Sequence, residues 1–476
     1  MKETTVGSAA DITLSSNSLF GERWLFAGLL AIVALAPLPF GSNRPLPMAI
    51  LCLCSGLLLI SWALLWAFKR TSFHAHSNDI KWALFCYGTV CLWIMIQWAP
   101  NMPTAFTDPV WQSAAKLLEI DISARLSVNP DATLAGLMRL LAYSGVFWLS
   151  FELTRTPERA WFAIRAITWI GTAYAIYGIA VYMTGNDWIV IYPKWTYRDS
   201  LTSTFVNRNS YATFAGLTLL AAIAVFTRHM APFFALKHPL RSKVVLIVEE
   251  IIAKGAFKSL SVISIAIALL LSASRGGTGS TAVGLLALAI IYMTRKKLKL
   301  SQFFGLLSAV LIAAVIIFSA SGNHLSKRLP DDQVQSSLEV RTDIYALTWN
   351  AILTSPWKGT GFGTFEDVFP AYRQGNDSPL ILWDKAHDTY LENALELGLP
   401  AAVLLNLSIA LVAFQCLRGA LTRKRDKIIP ALGVAATVLV GLHSLVDFSL
   451  QIPAVSILYA CLMGIAVSQS WSQRKA

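Results

Sequence analysis

One histidine and a handful of arginines hold most of the chemistry this chain can offer. His387 opens the stretch HDTYLENALELGLP (387–400), and an imidazole, with its pKa near neutrality, is the natural general base for a hydroxyl nucleophile. Arg208 stands within TSTFVNRNSY (202–211), where a helix is expected to begin. A cation at a helix amino terminus is unfavourable unless an anion shared with the free N–H groups binds there. Asn207, Asn209 and Ser210 in the same run are good helix caps, which by itself accounts for the amides. Arg275 lies in LSASRGG (271–277), where small neighbours allow close approach and the fork-shaped guanidinium suits a phosphate. An interfacial arginine beside a helix break at the two glycines is the plainer alternative. Arg341 leads a stretch with Asp343 and Trp349 that has the pattern of an amphipathic helix, and SPWKGTGFGTF (355–365) follows with Arg373 just beyond. Its lysine precedes the glycines and no Gly-Lys-Ser/Thr ends it, so it is not a phosphate-binding P-loop, and no strand-to-helix context makes it a dinucleotide fingerprint. A tight turn carrying aromatics and a sugar-contacting turn both fit.

The element that must position His387 is legible. Asp388 can cap a helix from Thr389 to Leu397, with Gly398 as its stop and Pro400 beyond it. Helical spacing puts His387, Leu391, Ala394 and Leu395 on one side and Asp388, Glu392 and Glu396 on the other. The acids then read as a solvated face, with Asp388 or Glu392 placed to orient or tune the imidazole.

Around these residues the chain is 55% hydrophobic and only 14% charged, with a mean hydropathy of +0.56, far from the balance of a soluble domain. A helical span needs about 20 mostly apolar residues, and in lipid every backbone group must be satisfied within the segment. The fold class is an all-α polytopic membrane protein. About twelve spans are expected, at 24–40, 46–68, 80–98, 133–153, 161–183, 209–227, 257–273, 278–293, 302–320, 401–417, 428–446 and 452–467. With both termini cytoplasmic, every strong basic cluster falls inside: Lys69-Arg70, Arg155 with Arg159, the 228–258 linker, Arg295-Lys296-Lys297, Arg423-Lys424-Arg425 and Arg474-Lys475. The net charge of +12 is accounted for this way, and nucleic acid is not implied. The linker mixes basic and apolar residues as an interfacial helix does. Three outer loops remain as the working surface: 99–132, 184–208 and the large periplasmic loop 321–390, between the ninth and tenth spans. The chain thus divides into an amino-terminal tail (1–23), nine spans (24–320), that loop, a face helix with three spans (391–470) and a short tail (471–476).

Cys52, Cys54, Cys86, Cys91, Cys416 and Cys461 all fall in or beside spans, so no disulfide staples the outer loops, and Cys52-x-Cys54 lacks partners for a metal. The polar leader is long and Pro37 follows Ala34-Leu35-Ala36 directly, so the first span is expected to stay uncleaved.

Taken together, Thr204-Phe-x-Asn207-x-Asn209, Ser274-Arg275-Gly276, Arg341 with Trp349, Pro356-x-x-Gly359-x-Gly361-x-Gly363-x-Phe365, His387 with the nine-residue spacer Thr389 to Leu397 before Gly398, and Gly441-x-His443 with Asp447-Phe448 and Pro453 resemble the O-antigen ligase and polymerase superfamily of bacterial membrane glycosyltransferases. The resemblance runs over about 203–453 and departs at Asp388, where the ligase pattern has Asn, Ser or Gln. It implies a GT-C-like, metal-independent, inverting enzyme of the inner membrane with its site facing the periplasm and with no cofactor. The donor would be a glycan on undecaprenyl diphosphate, and the acceptor a hydroxyl on lipid A core or a growing glycan, with membrane lipids around both. Developing charge on a diphosphate leaving group needs cations, for which Arg208 and Arg275 stand first and Arg341 next. His387 would take the acceptor proton, with Asn207, Asn209, Asp388, Glu392 and Arg373 in support. The competing reading is a transporter or flippase of lipid-linked oligosaccharides, with Arg139, His443 and Asp447 in or near spans lining a path.

Overall fold

The computed structural model describes residues 9–69, 71, 77–235, 240–293, 331–373 and 383–471. The order is α1 (Ala9–Leu35), α2 (Pro45–Ala67), α3 (Lys81–Trp98), a short α4 (Pro109–Leu118), α5 (Pro130–Leu153) and α6 (Pro157–Met183). A small antiparallel hairpin follows, β1 (Trp188–Ile189) with β2 (Tyr192–Pro193). Then come α7 (Arg208–Ala235), α8 (Leu240–Glu250), α9 (Ala256–Leu271), α10 (Arg275–Met293), α11 (Asp331–Thr354) and α12 (Phe365–Val368). The last four are α13 (Thr389–Leu397), α14 (Leu399–Thr422), α15 (Ile428–His443) and α16 (Pro453–Ser468).

Eleven of the twelve expected spans coincide with a helix; the twelfth, 302–320, lies outside the described residues. Among the described residues seven helices are long and apolar enough to cross a membrane, and α15 and α16 are shorter apolar ones, so the chain is a polytopic membrane protein. Ends are set by local chemistry. Proline occupies the first turn of α2, α5, α6 and α16, where its missing N–H is no loss. Asn129 and Thr156 cap α5 and α6 by accepting from Ala132 and Arg159 N–H. One boundary departs from expectation. The chain breaks between α9 and α10 at residues 272–274, with Ala273 left-handed, and not at Gly276-Gly277. Ser274 Oγ accepts from Gly277 N–H at 3.2 Å, so serine caps the new helix and both glycines lie inside it. There they serve packing: a Cβ on Gly277 would come within 2.5 Å of Ala212 Cβ on α7.

Helix α7 is the axis of the bundle, with 83% of its span window buried. It packs on α6, α9, α10 and α15, while α16 lies along α5, and small residues bring the backbones close, as at Gly171 against Thr218 and Gly464 against Ser150. The two ends of the bundle differ. At one, Arg159 pairs with Glu22 at 2.7 Å, Arg228 lies over Trp161, and Trp161 Nε1 donates to Asp426. At the other, the starts of α7 and α10 meet the loop after α15 and the start of α13.

Candidate functional site

Helix α13 forms as its sequence dictates. Asp388 has extended backbone and accepts from Tyr390 and Leu391 N–H at 2.8 and 3.0 Å, and Gly398 ends the helix with φ +78°. Asn and Ser, two of the three residues of the ligase pattern, and Asp are all strong caps, so Asp388 fills the cap as they would despite the departure. His387 itself is left-handed, φ +55°, an uncommon state for a residue with a side chain. The surroundings enforce it. Tyr345 Oη on α11 donates to the His387 carbonyl at 3.0 Å, Glu392 accepts from Ala386 N–H at 2.9 Å, and Thr389 N–H and Oγ1 donate to the Ser444 and Asp447 carbonyls at 2.9 and 3.0 Å. The imidazole stands edge to face with Trp383 and Phe448, and its Nδ1 is buried with no hydrogen-bond partner among the described residues. Burial lowers the His387 pKa, Asp447 opposes that and Arg341 adds to it, so the ring is held in the neutral form a base requires.

The acids of α13 are not a solvated face, as their spacing suggests. Glu392 and Glu396 are 2% and 3% exposed. Glu392 pairs with Lys385 at 3.4 Å, and Glu396 accepts from Phe365 N–H at 3.0 Å. Burial, with the Glu392 charge, pushes Glu396 up to about 7, against the pull of Lys385 and the backbone donors. Burial opposes the charge of Lys385, but Glu392 and Glu396 outweigh it and raise its pKa. Glu392 therefore acts on His387 by fixing the segment Lys385-Ala386 just before it.

Arg208 and Arg275 each open a helix, α7 and α10, and the two starts are tied together. Asn207 Oδ1 accepts from Asn209 N–H at 2.7 Å as the cap of α7. Asn209 Oδ1 accepts from Ser274 Oγ at 2.9 Å, and its Nδ2 donates to Asp447 at 3.1 Å, while Ser449 Oγ donates to the other Asp447 oxygen. Both ends of the Asn209 amide are thus spent on structure. Arg208 donates to Ser200 Oγ at 3.3 Å and lies over the Tyr197 ring, and its Nε is buried without a partner among the described residues. Arg341 and Arg275 both place positive charge on it. Burial raises the Tyr197 phenol, with Arg208 and Arg341 pulling it down and Asp447 and Asp384 pushing it up, so this ring stands inside the same charged cluster. Two helix amino termini and three guanidiniums on one face make a place for a multiply charged anion.

The structure brings Arg208, Arg275, Arg341 and His387 into one electrostatic neighbourhood, with Asn207, Asn209, Asp388 and Glu392 holding its frame. Arg373 follows the Phe369–Tyr372 turn and is not among the chief charges on His387, Arg208 or Tyr197. The glycine turn is explained by architecture. Gly361 N–H donates to the Glu396 carbonyl, Thr360 N–H to that of Leu395, Thr360 carbonyl accepts from Val128 N–H, and Gln97 Nε2 bridges the Lys358 and Glu396 carbonyls, so the turn locks α13 to α3 and α5. Sequence reasoning missed Lys385 and Tyr345. Lys385 had one available signal, its position seven residues before Glu392, but nothing in Tyr345 announces a bond to a residue 42 positions away.

Residues 260–405 match the family model described as O-antigen ligase. No curated protein matches the chain. The matched stretch holds Arg275, Arg341, the glycine turn, His387, Asp388 and Glu392, while Asn207, Arg208 and Asn209 precede it and Asp447 follows it. A polytopic chain with a neutral histidine and a cluster of arginines at one end of its bundle thus carries a domain that matches the O-antigen ligase family, a glycosyltransferase-type enzyme family of surface polysaccharide synthesis.

Proposed function

We infer that this chain transfers a glycan from a prenyl diphosphate carrier, undecaprenyl diphosphate in the bacterial inner membrane, to a sugar hydroxyl on lipid A core or a growing chain at the periplasmic face. The observation that carries this reading is the convergence of Arg208, Arg275 and Arg341 beside a neutral, partly buried His387. The acceptor oxygen attacks the anomeric carbon as the bond to the diphosphate oxygen breaks, and the hydroxyl proton passes to His387. The diphosphate leaves with the bonding pair, and the arginines and helix termini meet the charge that develops on it. A one-step displacement inverts the anomeric centre. Asn209, Ser274 and Asp447 keep the two helix starts in register, and Tyr345 with Thr389 fixes the base.

Two of the three residues on which the transporter reading relied are engaged in structure: His443 bonds Thr213 at 2.6 Å, and the Asp447 oxygens accept from Asn209 and Ser449. The test is reconstitution of the purified chain in vesicles with a prenyl diphosphate-linked glycan and a glycan acceptor. Covalent product, single or as a ladder, supports transfer; movement of the donor between leaflets with no product supports the transporter instead.

A further inference from the structure

Against the buried face of α13 lies a cavity of about 930 Å³ between α2, α3, α5, α14, α15 and α16. None of Arg208, Arg275, Arg341 or His387 lines it. Its polar end is formed by Arg139 of α5 with Lys385, Glu392, Asn393 and Glu396, and below that the wall is apolar, with Trp62, Phe147, Trp148 and Met463. From Arg139 to Trp148 along α5 is nine residues, about 14 Å at the helical rise. The space has the form of a slot for a hydrocarbon chain under a polar head.

The polar end is incomplete. Arg139 is placed well inside a membrane-crossing helix, where a guanidinium is costly and ordinarily finds an anion. Among the described residues it makes no hydrogen bond and no ion pair, and Tyr143 Oη and Gln451 Oε1, on residues that line the same cavity, are buried without partners. Lys385 is matched by Glu392, so the Arg139 charge is in surplus. Glu396, held near neutrality by burial, offsets it only in part.

We propose that this cavity is a second lipid site, distinct from the arginine cluster, which takes a lipid whose phosphate head carries net negative charge, with its phosphate on Arg139 and Lys385 and one hydrocarbon chain along Trp62, Phe147 and Trp148. An anionic glycerophospholipid of the bilayer and a prenyl phosphate share this chemistry. The occupant packs beneath Glu392 and Glu396 and so braces the helix that carries His387. The site rests on the cavity and its unpaired groups, and stands independently of the transfer reading.

The test is native mass spectrometry of the full-length chain after exchange into detergent with phosphatidylglycerol, phosphatidylcholine or a prenyl monophosphate. The wild type should retain at least one of the two anionic lipids about tenfold better than phosphatidylcholine, the scale of one charge-assisted contact. Arg139→Gln should abolish that preference and Arg139→Lys keep most of it. Ala63→Trp, which fills the slot and leaves the charge, should displace the lipid. Arg208→Ala, which removes a contact of the donor site, should leave the Arg139-dependent share of retention unchanged. Whichever anionic lipid shows that share names the source. Equal retention of phosphatidylcholine, retention unaffected by both Arg139→Gln and Ala63→Trp, or loss of the Arg139-dependent share on Arg208→Ala would each overturn the proposal.

Discussion

Substituting Gly359 by alanine strikes the lock that holds α13. Gly359 has φ +68°, and an added Cβ would lie 2.5 Å from Gly398 N and 2.6 Å from Glu396 C, with the Glu396 carbonyl oxygen closer still. These are backbone atoms and cannot swing aside. The left-handed conformation costs alanine about 1–2 kcal/mol, and overpacking against a fixed neighbour about 1–3 kcal/mol. The sum is about 2–5 kcal/mol, or about 2–5 °C in apparent Tm for a chain of this size. Because Gly398 ends the helix that begins at Asp388, the displacement should reach His387 and lower the transfer rate as well. The assay is thermal unfolding of the detergent-purified protein followed by size-exclusion fluorescence, alongside transfer in vesicles. Gly88→Ala is the control, since no atom lies within 4 Å of its added Cβ. A Gly359→Ala protein as stable and active as the Gly88→Ala control would refute the idea that the turn positions α13.

Three further outcomes are expected. Asp388→Ala removes two capping bonds and should destabilise by about 1 kcal/mol, whereas Asp388→Asn keeps the acceptor and should stay near the wild type; equal loss in both variants would contradict a capping role. Glu396 has a folded pKa of about 7 against an ordinary 4.5, so its protonated form favours the fold, and the stability it lends is full below about pH 4.5 and is lost as pH rises to about 7. Glu396→Gln keeps an acceptor for Phe365 N–H and should remove that slope, gaining on the order of 3 kcal/mol over wild type at pH 8; unchanged pH dependence of Tm would count against it. The pKa of His387 is lowered, so its neutral form persists below the ordinary 6.5 and the acid limb of kcat/KM should fall below that value; a limb centred at or above 6.5 would exclude His387 as the free-enzyme base.

The spans were legible because lipid leaves helices few options: long apolar runs mark them, and prolines and caps mark their ends. Arg208 stands out in the sequence because a cation at an expected helix start is hard to explain otherwise, and the fold adds that Arg275 also opens a helix. Burial of the α13 acids was not, because periodicity reports which residues share a face and not what covers it; Lys385 and the Phe365 N–H, which pair with Glu392 and Glu396, come from outside the helix. The break at residues 272–274 is not legible in the sequence because glycine reads as a breaker, whereas Gly277 lies inside α10, where its missing Cβ admits Ala212 of α7. Asn209 looked like a ligand or a cap, and only the fold reveals that Ser274 and Asp447 consume its amide.

The central claim is that His387 takes the acceptor proton in a transfer driven by the arginine cluster. It is tested most directly by reconstituting wild type and His387→Ala with a prenyl diphosphate-linked glycan and acceptor, and comparing initial transfer rates with donor binding. The account predicts donor binding near wild type and a transfer rate lower by about 10²–10⁴-fold, the usual contribution of a general base. Equal transfer rates for the two proteins would contradict it.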